Sequence, residues 1–226
     1  LKISIIIPTL NEAAGIAPML GDLQSLREAG HEVILADGGS SDNTIAIAVP
    51  LVDQIVSCGK GRAIQQNAGA VKAQGQWLFF LHADTRLPRD FPIIIKSLED
   101  KKVLWGRFNV KLSGKNVLFR IIEKMMNLRS RVSGIATGDQ VIFVRKDLFE
   151  QINGFKEIAL MEDIELSSRL KKISAPLCLS SFVITSSKRW EKNGILRTVL
   201  FMWWLRFNYF LGKDPEQLQK LYYPKH

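Results

Sequence analysis

Four stretches of this chain carry residues able to do chemistry. His82-Ala83-Asp84 follows an apolar run over residues 77–81. A carboxylate there projects over the carboxyl edge of a sheet. One oxygen of Asp84, beside Thr85, can hold a hard cation whose other partners are phosphate oxygens and water, the usual mode for Mg²⁺. The competing reading makes Asp84 a cap for the turn Thr85-Arg86-Leu87-Pro88. Asp37 ends a second apolar run, residues 33–36, and leads into Gly38-Gly39-Ser40-Ser41. Its acceptor-only carboxylate suits a ribose hydroxyl or a base N–H, or else caps a turn with Ser40 and Ser41. Gly38 and Gly39 allow close backbone approach. Glu162-Asp163 opens a helical pattern. A carboxylate is stabilised as the anion there and can deprotonate a hydroxyl nucleophile within reach, or it simply complements the helix dipole. Gly59-Lys60-Gly61-Arg62 precedes another helical pattern, with loop glycines and two cations where an anion site forms. A solvated basic turn has the same composition.

Several chemistries are disfavoured. Residues 8–15 lack the Gly-x-Gly-x-x-Gly fingerprint of nicotinamide enzymes, and no phosphate loop of the Gly-Lys-Ser/Thr kind exists. No serine nucleophile elbow is present. Cys58 and Cys178 have no metal-ligand spacing and read as thiols of a reducing compartment. His82 is the histidine near these motifs. His31 reads as a loop residue, and His226 is terminal.

The elements that must position these residues alternate. Residues 3–7, 33–36, 52–56 and 77–81 read as short buried strands. Residues 14–29, 42–49 and 61–74 read as helices, the second capped by Ser41 or Asp42. Strand–helix alternation indicates an α/β fold with a parallel sheet and right-handed crossovers. Beyond Thr85 the pattern predicts a helix from Leu87-Pro88 through Leu98, and strands at 103–112, 141–144 and 177–184. Helices are predicted at 116–128, with a basic end at Arg129-Ser130-Arg131, and at 162–172. With 226 residues and no linker, one domain is the economical division.

The net charge of +9 implies an anionic partner. Over half of it comes from the last 39 residues, which hold eight basic and three acidic side chains. Residues 195–211 are apolar but interrupted by Arg197, Arg206 and Asn208, too short and too charged for a membrane span. They read as a helix packed on the sheet, lying on a membrane surface, or making an oligomer contact. The start has no basic region that would mark a signal peptide.

Taken in order, Ile7-Pro8-Thr9-Leu10-Asn11-Glu12, Asp37 to Thr44, Gly61-Arg62 with Asn67 and Gly69, His82-Ala83-Asp84, Gly138-Asp139-Gln140 and Glu162-Asp163 resemble family 2 glycosyltransferases of the GT-A fold. The likeness runs from residue 3 to about residue 170. Gly138-Asp139-Gln140 with Lys188-Arg189-Trp190 is also similar to a small bacterial branch, the radical-SAM/selenodomain-associated transferase 2 group. The resemblance implies a mostly parallel twisted sheet with helices on both faces. It divides the chain into a nucleotide-binding half (1–85), an acceptor and catalytic half (86–190) and a basic-aromatic helical end (191–226). It implies a nucleotide-diphosphate sugar as donor, a hydroxyl acceptor (small molecule or lipid-linked), no nucleic acid partner and a cytoplasmic location, with possible contact to a membrane face or a second copy through 195–211.

By the same resemblance, Pro8, Thr9, Leu10, Asn11, Glu12, Asp37 and Gly38 hold the nucleotide. Arg62 and Asn67 lie near its base or phosphates. Asp84, next to Ala83, is the second carboxylate of the family's Asp-x-Asp motif and binds the diphosphate through Mg²⁺ or Mn²⁺. His82 stands where the first Asp is expected. Gly138, Asp139 and Gln140 line the donor sugar and acceptor. Asp163 is the base that activates the acceptor, giving inversion. Arg189, with Lys188 and Trp190, sits where the family places a later loop, and brings charge to the leaving diphosphate. Two other classes remain. A nucleotidyltransferase needs a Gly-rich loop with Lys after the first strand, which 8–12 is not. A basic binding module leaves the carboxylates without a role.

Overall fold

Alternate residues of the first strand face opposite layers, and this parity sets the architecture. In the computed structural model, which describes residues 1–99 and 102–223, β1 (Ile3–Thr9) sends Ile3, Ile5 and Ile7 to one face and Ile6 to the other. The first face packs against α1 (Ile16–Gly21), α2 (Gln24–Glu28) and α5 (Phe91–Ser97) through Ile16, Leu20, Leu26, Phe91 and Ile94. The second packs against α4 (Arg62–Lys72), α7 (Lys146–Gln151) and α8 (Glu162–Ile173) through Ala63, Ala70, Phe149, Leu166 and Leu170. Both faces of the central strands are buried, so these read as largely apolar runs. The expected α/β sheet covered by helices on both faces is what forms.

The remaining strands are β2 (Glu32–Asp37), β3 (Gln54–Ser57), β4 (Trp77–Phe80), β5 (Thr85–Arg86), β6 (Trp105–Leu112), β7 (Ile142–Arg145) and β8 (Leu177–Thr185). Their order is β3-β2-β1-β4-β7-β6-β8-β5. β1 pairs in parallel with β2 and β4, and β2 with β3, so all four end at one edge. β7 runs antiparallel to β4 and β6. Its amino end therefore lies at that same edge, which brings Gly138-Asp139-Gln140, the turn just before β7, opposite the end of β4. β6 and β8 are parallel, and β5 pairs antiparallel with β8, placing Thr85 beside Thr185.

Some boundaries differ from expectation for visible reasons. The single helix expected at 14–29 is two, because the chain turns at Asp22-Leu23 to bury Leu23 as well as Leu20. Asn43, not Ser41 or Asp42, is the cap residue of α3 (Thr44–Ala48), although Asp42 Oδ1 accepts from the Thr44 N–H at 3.0 Å. α6 (Val117–Ser133) runs past the expected end at 128, so Arg129 and Arg131 are helical. It stops at Gly134, whose left-handed φ of 68° is one that glycine adopts most readily. The sequence pattern did not show α9 (Lys188–Asn193) or α11 (Pro215–Tyr222) as separate helices.

α10 (Ile195–Phe210) was expected as a helix on the sheet, on a membrane or against a second copy. It buries Thr198, Leu205 and Asn208 among helices, with Leu205 beside Leu160, Met161, Ile164 and Leu218. Leu196, Leu200, Trp203, Phe207 and Phe210 stay exposed. Among the described residues no helix is long and apolar enough to cross a membrane. Pro224, Lys225 and His226, the end of the basic-aromatic segment, lie outside the described residues.

Candidate active site at the carboxyl edge

The loops after β1 and β2 are tied together. Asn11 Oδ1 accepts from the Ser41 N–H at 2.8 Å, and the Asn11 N–H donates to Ser40 Oγ at 2.9 Å. The Glu12 N–H donates to Thr44 Oγ1 at 2.8 Å. Asp37 is buried and accepts from the N–H groups of Gly39 and Ser40, both at 2.9 Å, and from the Ser40 hydroxyl. Its carboxylate thus shapes the second loop as a turn cap. Gln65, which sequence reasoning did not single out, reaches from α4 to the carbonyls of Thr9 and Ala36 at 2.7 and 2.9 Å, tying β1 to β2 where they end. Pro8, Thr9 and Leu10 run along this edge, and Gly38 abuts the Gln65 amide.

Asp84 stands exposed at the same edge, just beyond buried Ala83. The Thr85 hydroxyl donates to it at 3.3 Å. Glu12 faces it: burial raises the Glu12 carboxyl above its usual range, and Asp84 and then Asp42 add to the shift. A cation held at Asp84 would relieve this repulsion. Among the described residues no group of three or more His, Cys, Asp or Glu side chains converges to hold a metal by itself. One or two carboxylates with phosphate oxygens completing the shell is an arrangement Mg²⁺ accepts.

Across the edge, α8 brings Asp163 to the turn before β7. Asp163 Oδ2 accepts from the Gly138 N–H at 2.8 Å and Oδ1 from the Ile164 N–H at 2.7 Å, so the carboxylate is fixed in direction. The imidazole of His82 lies against Gly138, where an added Cβ would come within 2.5 Å of it. His82 Nδ1 is 3.7 Å from Asp139 Oδ1. Burial, with Arg62 nearby, pushes His82 down to about 4, so it is neutral at pH 7. Burial pushes Asp139 up, against the pull of Arg62, Arg206 and Arg189. Glu162 is buried, 3.9 Å from Arg62, and burial together with Asp163 raises it to about 7. The backbone around these groups is unusual. Asn11 (φ 57°), Val141 (φ 50°) and Met161 (φ 70°) are left-handed without being glycine, and each adjoins a site segment. Such conformations cluster at functional sites.

A cavity of about 70 Å³ joins Arg62, His82, Gly138, Asp139, Glu162 and Asp163. The C-terminal segment closes over it. The Tyr223 hydroxyl is 3.2 Å from Arg62 Nη2, and the Arg189 guanidinium stacks 3.7 Å above the Tyr222 ring and donates to the Tyr222 carbonyl. Sequence reasoning missed both tyrosines, because nothing local says that α11 returns to the sheet edge.

Three expected residues lie elsewhere. Asn67 spends its amide on Phe155, accepting from its N–H and donating to its carbonyl, both at 2.9 Å, so it pins α4 to the loop at 153–155. Gln140 is fully buried and closes a capping box with Thr137. Trp190 lines a second, apolar groove beside the site. That groove also holds Arg129 and Arg206, which sequence reasoning had placed at a helix end and inside an apolar helix.

The strand order and the loops at the carboxyl edge define a GT-A fold, and solved structures share it. The chain is similar to TarS from S. aureus in complex with UDP-GlcNAc (TM-score 0.66, 17% identity), covering 82% of this chain and 58% of that one. It is also similar to mannosyltransferase PcManGT from Pyrobaculum calidifontis in complex with GDP-Man and Mn²⁺ (TM-score 0.62, 20% identity), covering 80% of this chain and 56% of that one. Residues 4–151, more than half of the sequence, match glycosyl transferase family 2, and the chain belongs to that family. Among curated proteins, a PGL/p-HBAD biosynthesis glycosyltransferase of Mycobacterium bovis is 38% identical over 91 residues. That likeness spans 37% of this chain and 36% of the relative's length.

Proposed function

We propose that the protein transfers a sugar from a nucleotide-diphosphate sugar to an acceptor hydroxyl, with inversion at the anomeric carbon and with help from Mg²⁺ or Mn²⁺. The observation that carries this is the gathering of carboxylates at one sheet edge, where Asp84 and Asp163 both lie within electrostatic reach of His82. Asp84 and Glu12 stand at the ends of β4 and β1, while Asp163 is held in place by the Gly138 N–H at the start of α8. The solved structures with UDP-GlcNAc and with GDP-Man and Mn²⁺ support the donor class.

In this reading the tied loops 8–12 and 38–41 cradle the nucleotide, and Asp84, with Glu12 behind it, holds the cation. A bound divalent ion supplies positive charge to the leaving diphosphate. Arg62 and Arg189 add to that charge from the other wall. Asp163 accepts the proton of the acceptor hydroxyl. Both of its oxygens are oriented by backbone N–H donors, so the lone pairs left free point in set directions. Neutral His82 packs under Gly138 and keeps that N–H in place. Attack from the side opposite the diphosphate inverts the carbon. The division into a nucleotide half, an acceptor half and a C-terminal cover belongs to the same proposal, as does membership of the selenodomain-associated branch.

A thermal-shift panel of UDP, GDP, ADP and CDP, with and without Mn²⁺, tests the donor assignment. One nucleoside diphosphate should raise the melting temperature in a Mn²⁺-dependent way, since binding to the native state stabilises it. No shift with any of them would refute the assignment.

A further inference from the structure

The second groove, of about 310 Å³, shares Asp139, Met202 and Arg206 with the candidate active site. Ile122 and Met126 of α6 and Val199 and Trp203 of α10 form its walls. Its inner end is different. Arg129 Nε and Nη2 and Arg206 Nε are buried and have no hydrogen-bond partner. Buried N–H groups without acceptors are rare in folded proteins, and each calls for an explanation. Burial first, and then repulsion from neighbouring Arg206, hold Arg129 down to about 10, against the partial pull of Asp163 and Asp139. An anion there would satisfy the free donors and neutralise the pair.

The groove's outer end opens between two helical faces that expose apolar side chains to solvent. α6 presents Ile121, Met125 and Leu128, and α10 presents Leu200, Trp203 and Phe207. An apolar stripe with nothing packed on it beside basic residues is the pattern of a surface that rests on lipid. The order is therefore exposed apolar faces beside an apolar groove, which holds Arg129 and Arg206 and meets the candidate active site at Asp139 and Arg206.

From this order we infer that the acceptor is an anionic lipid drawn from a membrane surface: an apolar chain joined through a phosphate to a headgroup that bears the hydroxyl. The inference rests on the sugar-transfer reading above. The first part of the chain fills the groove, the phosphate sits between Arg129 and Arg206, and the hydroxyl meets Asp163. The hydroxyl oxygen bonds to the anomeric carbon and its proton passes to Asp163. The bond from that carbon to the diphosphate oxygen breaks, and its electron pair leaves on the nucleoside diphosphate.

Dodecylphosphoglycerol, kept below its micelle-forming concentration, is a direct probe. Trp190 and Trp203 line the groove, so their fluorescence reports binding. The probe should bind at least about tenfold more tightly than dodecyl glycerol ether or glycerol phosphate, because hydrogen bonds from charged donors are worth more than that factor. Arg129→Gln and Arg206→Gln should reduce its affinity to that of the neutral ether. Arg129→Lys, which keeps the charge, should restore part of it and so separates lost charge from lost fold. Val199→Phe should fill the groove and block the probe without altering nucleoside diphosphate binding in Mn²⁺. Equal binding of the neutral ether, or an unaffected probe in Val199→Phe, would overturn the inference. So would arginine variants that lose the nucleoside diphosphate and keep the probe. Probe binding without binding of any nucleoside diphosphate would uphold the lipid groove and sink the sugar-transfer reading instead.

Discussion

Replacing Glu162 with Gln should change how stability depends on pH, and the sign follows from the burial of that carboxyl. Glu162 is raised from 4.5 to about 7 because burial and the neighbouring Asp163 outweigh the attraction of Arg62 at 3.9 Å. Between those two values the native state holds a proton that the unfolded chain has released. Stability from this group is therefore gained as pH falls from 7 to 4.5, and lost as pH rises through 7. At 1.36 kcal/mol per pK unit, ionising Glu162 costs the fold about 3 kcal/mol. Gln is neutral at every pH and similar in shape. The variant should thus match the parent near pH 4.5 and exceed it by about 3 kcal/mol at pH 8, which is roughly 6–12 °C in melting temperature for a chain of this size. His82 acts in the opposite sense. It is lowered from 6.5 to about 4, so the unfolded chain takes up the proton first and acidification from 6.5 to 4 weakens the fold. In the parent the two groups oppose each other over pH 4.5–6.5. In Glu162→Gln the gain from Glu162 is gone while the His82 loss remains, so on acidification the variant should lose stability relative to the parent. Thermal melts of both proteins at half-unit pH steps measure this. Parallel curves from pH 4.5 to 8 would show that Glu162 ionises normally and that the burial argument is wrong.

Four further outcomes are expected. Asp163→Asn should lower the chemical step by about 10²–10⁴-fold and leave donor affinity nearly intact; saturation kinetics would refute the base assignment if affinity collapsed while the rate at saturation held. Gly138→Ala should drive a methyl group to 2.5 Å from the His82 ring, destabilise the fold by about 1–3 kcal/mol and misplace the N–H that holds Asp163, which paired melts and rate measurements would show. Asn67→Ala should cost about 1–3 kcal/mol by stranding the Phe155 N–H and carbonyl, yet leave nucleoside diphosphate affinity unchanged; a tenfold loss of affinity would return Asn67 to the donor site. The protein should co-sediment with anionic vesicles at low salt and be released by high salt, and indifference to anionic vesicles at low salt would contradict a lipid-facing role for α6 and α10.

Much of the fold was legible because both faces of the sheet are covered. Runs such as Ile5 to Ile7 and Val33 to Ala36 are apolar throughout, and the abrupt change to Asn11-Glu12 or Asp37-Gly38 marks where each strand leaves the core. Asp84 and Asp163 were legible for the same reason, as carboxylates at the end of a strand and the start of a helix. What could not be read was distance. Asn67 looks like any polar residue on a helix until Phe155, 88 positions away, takes its amide. Arg129 and Arg206 are separated by most of the second half of the chain, and only the packing of α6 beside α10 makes them a pair. Likewise Tyr222 and Tyr223 acquire a role only because α11 folds back over Arg62 and Arg189. The break at Asp22-Leu23 was hidden because two short helices that bury Leu20, Leu23 and Leu26 have nearly the spacing of one long helix.

A nucleotide-diphosphate sugar should bind at the carboxyl edge with Asp84 holding a divalent cation. Calorimetric titration of UDP and GDP, with and without Mn²⁺, into the parent and Asp84→Ala tests it most directly. One of the two nucleotides should bind the parent in a Mn²⁺-dependent manner, and Asp84→Ala should lose the Mn²⁺-dependent part while melting as a folded protein. Equal Mn²⁺-dependent affinity in parent and variant, or no binding of either nucleotide to the parent, would contradict it.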